Sequence, residues 1–317
     1  MRLTSLVASA QAPHLQIDRS WQKQSPLSVQ QLHAQVTVDL LSGVKATLDL
    51  TDRNNASLNR AALTDLPTTD REVGLTLRRQ LDRGAASVTI NMRQAMASNL
   101  GLHLGYNLAI TPSVSVTGTA ELRQMGSESA LLSVAGMRSG FSSTVNFALS
   151  RAEYMRFGLS AYQYALQAGP VLGSGARWNV ETGSHLRVEY PNLTARLYAA
   201  GITYRERAQA DAAIGNRLQA DANLLTFRVL PANDTLVGLS LGAGTIAETG
   251  YTRAWRPYVE VGTTYSRTIG IGYNLRAGVA GSMFGQDLMR LRGLRARGTT
   301  LTPQGLQEFG IDYNWFF

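Results

Sequence analysis

The sequence has no cysteine, which removes a disulfide framework, a thiolate metal site and a cysteine nucleophile together. Charge is scarce as well: Asp, Glu, Lys and Arg make up 16% of the chain, where about a quarter is usual. Although 44% of residues are hydrophobic, no run approaches the roughly 20 apolar residues that a membrane helix needs, and mean hydropathy is -0.09. The four histidines, His14, His33, His103 and His185, show no metal-ligand spacing. Apolar residues are thus present but dispersed, as strands require when hydrocarbon wets one face and water the other. At 317 residues the chain suits one large barrel or two soluble domains, and length does not choose between them.

What the sequence has in quantity is alternation with period two. Between Asn99 and Ile110, residues Leu100, Leu102, Leu104, Tyr106, Leu108 and Ile110 fall on one face, opposite Gly101, His103, Gly105, Asn107 and Ala109. That run exceeds the roughly 9 to 11 residues of a tilted membrane strand. Gln30 to Leu40 and Val44 to Thr51 alternate in the same way around Leu41-Ser42-Gly43, the pattern of a hairpin. Similar segments are predicted at Glu72 to Gln80, Ala85 to Gln94, Val114 to Gln124, Ser129 to Met137, Phe141 to Ser150, Tyr154 to Leu166 and Arg177 to Tyr190. Others follow at Thr194 to Arg205, Ala222 to Leu230, Thr235 to Thr245, Tyr258 to Ser266 and Ile269 to Ser282.

With the final strand the count is sixteen, or seventeen if Leu15 to Trp21 is also a strand. The even number suits a single-chain bacterial barrel, whose ends lie on the periplasmic side. The expected architecture is all-β: a transmembrane antiparallel β-barrel of 16 strands over 26–317, with 1–25 a linker from an upstream periplasmic region or a short first strand. Short turns then fall on opposite sides of the membrane in the two halves, which points to a miscounted strand between Ser129 and Leu166. Asp52 to Asp70 and Phe284 to Pro303 read as loops. The start, Met1-Arg2 followed by Leu3 to Ala12, has too short an apolar core for a signal peptide, so the export signal is expected upstream in a longer protein.

The residues offer no catalytic constellation, and no catalytic, cofactor or metal site is assigned. Gly173-Ser174-Gly175, Gly242-Ala243-Gly244 and Gly270-Ile271-Gly272 sit in or beside strands with no helix following, so they are not phosphate loops. The polar faces instead predict a charged lumen lining: Asp39, Asp49, Glu121, Glu181, Glu189, Glu260 and Asp312 against Arg123, Arg156, Arg187, Arg196 and Arg276, with Tyr162, Tyr164 and Tyr198 among them. Carboxylates, guanidinia and aromatic faces together let a sugar chain slide without one deep well. Net charge is +8, and Arg290, Arg292, Arg295 and Arg297 crowd one predicted loop. It would meet lipopolysaccharide phosphates outside or fold inward as a plug. Nucleic-acid binding has neither a reading helix nor an aromatic platform to support it.

The last stretch carries the most specific signal. Phe309, Ile311, Tyr313, Trp315 and Phe317 alternate with Gly310, Asp312, Asn314 and Phe316 to the end of the sequence, leaving lipid as the cover for the apolar face. A terminal Phe after alternating aromatics resembles the signal by which outer-membrane barrels reach their assembly machinery. The strand count and the closing Phe309 to Phe317 resemble the C-terminal porin domains of exopolysaccharide export proteins, most closely the Pel polysaccharide export porin family. The resemblance implies a non-enzymatic, integral bacterial outer-membrane channel that passes an amino-sugar polymer to a biofilm matrix. It also implies upstream periplasmic repeats and a periplasmic lipoprotein ring as partner. A diffusion porin is the alternative on the residues alone, then a barrel enzyme. A net basic chain sits awkwardly with a cationic polymer.

Overall fold

A computed structural model describes residues 13–58, 63–67, 69–207, 210–218, 229–249, 252–299 and 305–317. Sixteen antiparallel strands close on themselves, each bonded to its sequence neighbours and the first to the last. The strands of the first half are β1 (His14–Gln24), β2 (Leu27–Leu41), β3 (Val44–Ser57), β4 (Asp70–Leu81), β5 (Gly84–Gln94), β6 (Ser98–Thr111), β7 (Val114–Met125) and β8 (Gly136–Ala148). The second half comprises β9 (Glu153–Leu166), β10 (Val171–Arg187), β11 (Leu193–Glu206), β12 (Asp234–Ala243), β13 (Arg256–Ser266), β14 (Gly270–Gly281), β15 (Asp287–Arg297) and β16 (Leu306–Phe316). Among the described residues three short helices lie in the connections: α1 (Ala130–Ala135), α2 (Ala210–Leu218) and α3 (Ile246–Thr249).

Closure satisfies every wall strand on both edges, the condition for exposing sheet to lipid. The outer face is greasy in the expected phase: Leu32, Leu48, Leu75, Ile90, Leu100, Leu239 and Val261 are all exposed. Cross-strand registers align such residues, as in Val36 with Leu48 and Leu197 with Leu239. At the seam β1 pairs β16 from His14 with Phe316 to Gln24 with Leu306. Inside it, Arg292 reaches Asp18 at 3.1 Å, Asp312 at 3.3 Å and Glu308 at 3.4 Å, joining three strands through one guanidinium.

The number sixteen survives a compensation. Pro13 to Gln24, ambiguous in sequence, contains β1, and the Arg-rich segment predicted as a loop contains β15. Ser129 to Met137, predicted as a strand, instead forms α1 and the first residues of β8. Ser129 caps α1 by accepting from Leu132 N–H at 3.2 Å. That extra predicted strand reverses the direction of those after it, which is why the turns sorted to opposite sides. Ala222 to Leu230 lies outside the described residues except Val229 and Leu230, which are not strand. The predicted loop from Asp52 is shorter, since β3 runs to Ser57 and β4 starts at Asp70.

Both ends of the strand array stand at one rim, with the short turns at 42–43, 82–83 and 112–113. The long connections 58–69, 126–135 and 207–233 stand at the other. Short periplasmic turns and longer extracellular loops orient such barrels, so the rim with the long loops faces outward.

Candidate functional site: the lumen and its two mouths

The inward positions divide by chemistry around the circumference. On β1 to β7 they are mostly hydroxyl, amide and imidazole groups, with Thr37 3.0 Å from Thr47, Thr76 2.7 Å from Thr89, and His33 3.4 Å from Asp49. On β9, β11 and β13 they include Tyr154, Tyr162, Tyr164, Tyr198, Tyr204 and Tyr258, the inward-phase tyrosines among the described residues.

Four of these rings, those of Tyr154, Tyr198, Tyr204 and Tyr258, lie against the wall over a cross-strand glycine. A methyl group on Gly183 would overlap the Tyr154 ring, and one on Gly238 the Tyr198 ring. The glycines therefore hold the aromatic faces toward the lumen while leaving its bore wide.

Charges accompany the tyrosines at three levels. Beneath the outer mouth, Arg138 binds Glu121 at 2.7 Å and Glu128 at 2.9 Å, with its guanidinium 4.7 Å over the Tyr162 ring. Tyr164 lies 6.0 Å from Tyr204 there, centroid to centroid. A cavity of about 360 Å³ opens beside them, lined by Glu128, Arg138, Tyr162, Tyr204 and Arg177. Lower on the wall, toward the inner ends of β9 and β11, Tyr154 donates to Glu181 at 2.8 Å, Arg156 stands 3.6 Å from the same carboxylate, and Arg196 pairs with Glu260. Tyr198 lines a second cavity of about 310 Å³ with Glu181, Arg177 and Asn274. Near the inner mouth Arg276 meets Glu248 of α3 at 3.2 Å, and Arg290 donates to the Glu248 carbonyl at 2.8 Å.

Of the sequence candidates, Asp49, Glu121, Arg156, Tyr162, Tyr164, Glu181, Arg196, Tyr198, Glu260, Arg276 and Asp312 share the inward phase. Asp39 does too, close to the inner rim, where Lys45 binds it at 3.0 Å. Three do not line the lumen. Arg123 sits at a bulge between Glu121 and Gln124 with φ 53, which turns it onto the outer surface near Ser139 and Gln163. Arg187 follows a bulge after His185 and pairs with the outward Leu193, while Glu189 lies beyond the end of β10. Simple alternation cannot see an inserted residue, and each bulge inverts the phase after it.

Asp18, Arg53, Asp70, Glu72, Arg93, Arg138, Arg290 and Arg292 also face inward but are not among the sequence candidates, mostly because their segments have the composition of loops. Arg93 and Asp70 are the most consequential of these. They form a buried two-pronged pair at 2.8 and 2.6 Å, and Arg93 also donates to the Ser133 carbonyl of α1 at 2.6 Å.

That latch holds a lid. Leu63, Leu131, Leu132, Val134, Ile214, Leu218, Val229 and Leu230 pack into one buried cluster with wall residues such as Leu27, Tyr164 and Leu172. Asp65 N–H donates to the Leu218 carbonyl at 3.0 Å, and Ser129 to the Val229 carbonyl at 2.7 Å. β3 and β11, whose connections supply Asp65 and Leu218, stand half a circumference apart, so these contacts cross the mouth.

A closed sixteen-strand wall with a greasy exterior, a polar lumen and an inward-folded lid defines an integral outer-membrane β-barrel channel. Residues 9–316 match the family model described as PelB, C-terminal beta barrel domain, and the chain belongs to that family. Among solved structures it is similar to a "Bacterial polysaccharide outer membrane secretin", with TM-score 0.68 and 9% identity over 96% of this chain and 98% of that one. CdiB from Acinetobacter baumannii shares the fold at TM-score 0.54 and 9% identity, over 96% of this chain and 60% of that one. No curated protein sequence matches the chain.

Proposed function

We propose that the barrel is the outer-membrane conduit through which a strand of exopolysaccharide leaves the cell, with the tyrosine-bearing half of the lumen as its track. The observation that carries this is the run of inward tyrosines on β9, β11 and β13, each beside carboxylates and guanidinia. Stacking on tyrosine faces with exchangeable hydrogen bonds holds a sugar chain weakly at many points. The family and the related folds point to a transport channel rather than an enzyme.

The positive net charge is compatible with a cationic amino-sugar polymer because much of its excess lies outside the lumen. Inward guanidinia at Arg53, Arg93, Arg138, Arg196, Arg276 and Arg292 meet carboxylates, whereas Arg19, Lys23, Arg79, Arg205, Arg295 and Arg297 alternate outward. In this reading a periplasmic lipoprotein ring and an upstream repeat scaffold deliver the polymer to the inner mouth. Phe309, Ile311, Tyr313 and Trp315, aligned on the outer face of β16, with Phe317 just beyond it, present the strand to the assembly machinery.

Conductance of the purified barrel in planar bilayers tests the reading. Partially deacetylated amino-sugar oligomers added on the periplasmic side are expected to interrupt the current, and Tyr154→Ala with Tyr198→Ala to shorten the blocks about tenfold. A steady open current indifferent to such oligomers would overturn export and favour a diffusion porin.

A further inference from the structure

The strand hidden from sequence reading is also the one whose outer face changes character. On β15 the outward positions begin with Met289 and Leu291, pass Gly293 and end with Arg295 and Arg297. Two strands away, the outward positions of β1 run Leu15, Ile17, Arg19, Trp21 and Lys23. The intervening β16 offers Gln307 between Lys23 and Arg295 in one cross-strand row.

Lys23, Arg295 and Arg297 sit near the ends of their strands at the outward-facing rim, and Arg19 is the middle residue of β1. All four are exposed, and Arg19 bends over the Trp21 ring at 4.9 Å. Trp21 in turn stacks near Phe309 at 5.7 Å. Among the described residues none of Arg19, Lys23, Arg295 and Arg297 has a carboxylate partner, in contrast to most of the arginines inside.

A cation on the lipid face costs about 2 to 4 kcal/mol at the bilayer midplane and about 0 to 1 near the interface. The aromatic pair marks that interface, and the charges begin beside it. Neighbouring strands are about 4.8 Å apart, which places Lys23 and Arg295 on one row at a separation their long side chains can close around a single anionic headgroup. Phosphate oxygens suit them, since guanidinium and ammonium groups form their strongest hydrogen bonds with charged oxygens.

We propose that Lys23, Arg295 and Arg297, with Arg19 and Trp21 beneath them, form a binding site for the phosphorylated headgroup of an outer-leaflet glycolipid, lipopolysaccharide. The outer leaflet is where this row lies, and a glycolipid brings both phosphates for the cations and sugar for the indole face. The site lies on the outer face of the wall, with Arg297 at the rim also edging the cavity beside Tyr198, and it does not depend on which solute the channel carries.

The test uses the full folded chain in detergent, mixed with rough lipopolysaccharide, with the same glycolipid after enzymatic removal of its phosphates, or with phosphatidylglycerol. Bound lipid is counted by native mass spectrometry, and folding is verified by heat-shifted electrophoretic mobility. The triple variant Lys23→Gln, Arg295→Gln, Arg297→Gln is expected to lose binding of the phosphorylated glycolipid at least tenfold, and the dephosphorylated form to bind wild type as weakly. Arg79→Gln, on the same outer face at the opposite rim, is expected to bind as wild type. Should the triple variant fail to fold, Arg295→Gln alone is expected to lose about threefold. Equal binding by wild type and a folded variant overturns the site, and equal affinity for phosphatidylglycerol overturns the assignment to a glycolipid.

Discussion

At the outward rim three connections meet across the bore and bury an apolar cluster, latched to the wall by a pair with almost no solvent exposure, Arg93 at 3% and Asp70 at 1%. At the inner rim one four-residue helix, α3, stays beside the wall, held by Ala247 against Ala280 and Leu288 and by the half-open pair of Glu248 with Arg276. The outer mouth is closed by surface removed from water, the inner one narrowed by charges that water and a polar solute can replace. A polymer arriving from the periplasm therefore meets the cheaper obstacle first. Opening the outer lid means separating the three connections, whether in brief thermal openings, by the push of a chain already inside or by a partner.

Breaking the outer latch should have the largest effect. Arg93→Ala leaves Asp70 buried with reduced compensation, a change typically costing about 3 to 5 kcal/mol. Because Arg93 also holds the α1 carbonyl, single-channel conductance is expected to rise several-fold. An unchanged conductance in a folded variant would show that the lid does not hang on this pair.

A cavity inside the lid is the next step down. Leu132→Ala removes a fully buried side chain, at a usual cost of about 2 to 5 kcal/mol, spent here on lid packing rather than on the barrel. Brief openings are expected to become more frequent while heat-modified mobility of the barrel stays at the wild-type temperature. A lowered barrel melting temperature with no added openings would place Leu132 in the wall's stability instead.

The inner mouth should respond least. Glu248→Gln breaks a pair that is 21% and 43% exposed, and such exposed pairs contribute only about 0 to 1 kcal/mol. Conductance is expected to rise less than twofold, with the difference from wild type vanishing at about 1 M salt, where the screening length is about 3 Å. A change as large as that of Arg93→Ala would erase the contrast between the mouths.

Much of the wall was legible because alternation is a local property: successive side chains leave a strand on opposite sides whatever lies beyond. Leu100 to Ile110 or Val73, Leu75 and Leu77 declare a lipid face with no help from the rest of the chain. β15 hid for a physical reason, since its outward residues turn from Met289 and Leu291 to Arg295 and Arg297 as the strand leaves the hydrocarbon. α1 misled because a short helix wholly buried in a lid is as apolar as a strand. The lumen was legible through Glu181, Arg196, Tyr198 and Glu260, and misread where a bulge reset the phase at Arg123 and Arg187.

By itself the sequence determined that strands form, which of their faces meets lipid, and that the chemistry inside is polar and aromatic. Tertiary structure alone decided that β1 closes onto β16, that residues as distant as Ser129 and Val229 meet over the outer mouth, and that Arg93 and Asp70 become a latch. The reason is range. A side chain's face is fixed by its immediate backbone, whereas closure and capping depend on contacts between segments a hundred or more residues apart, whose partners no local pattern names.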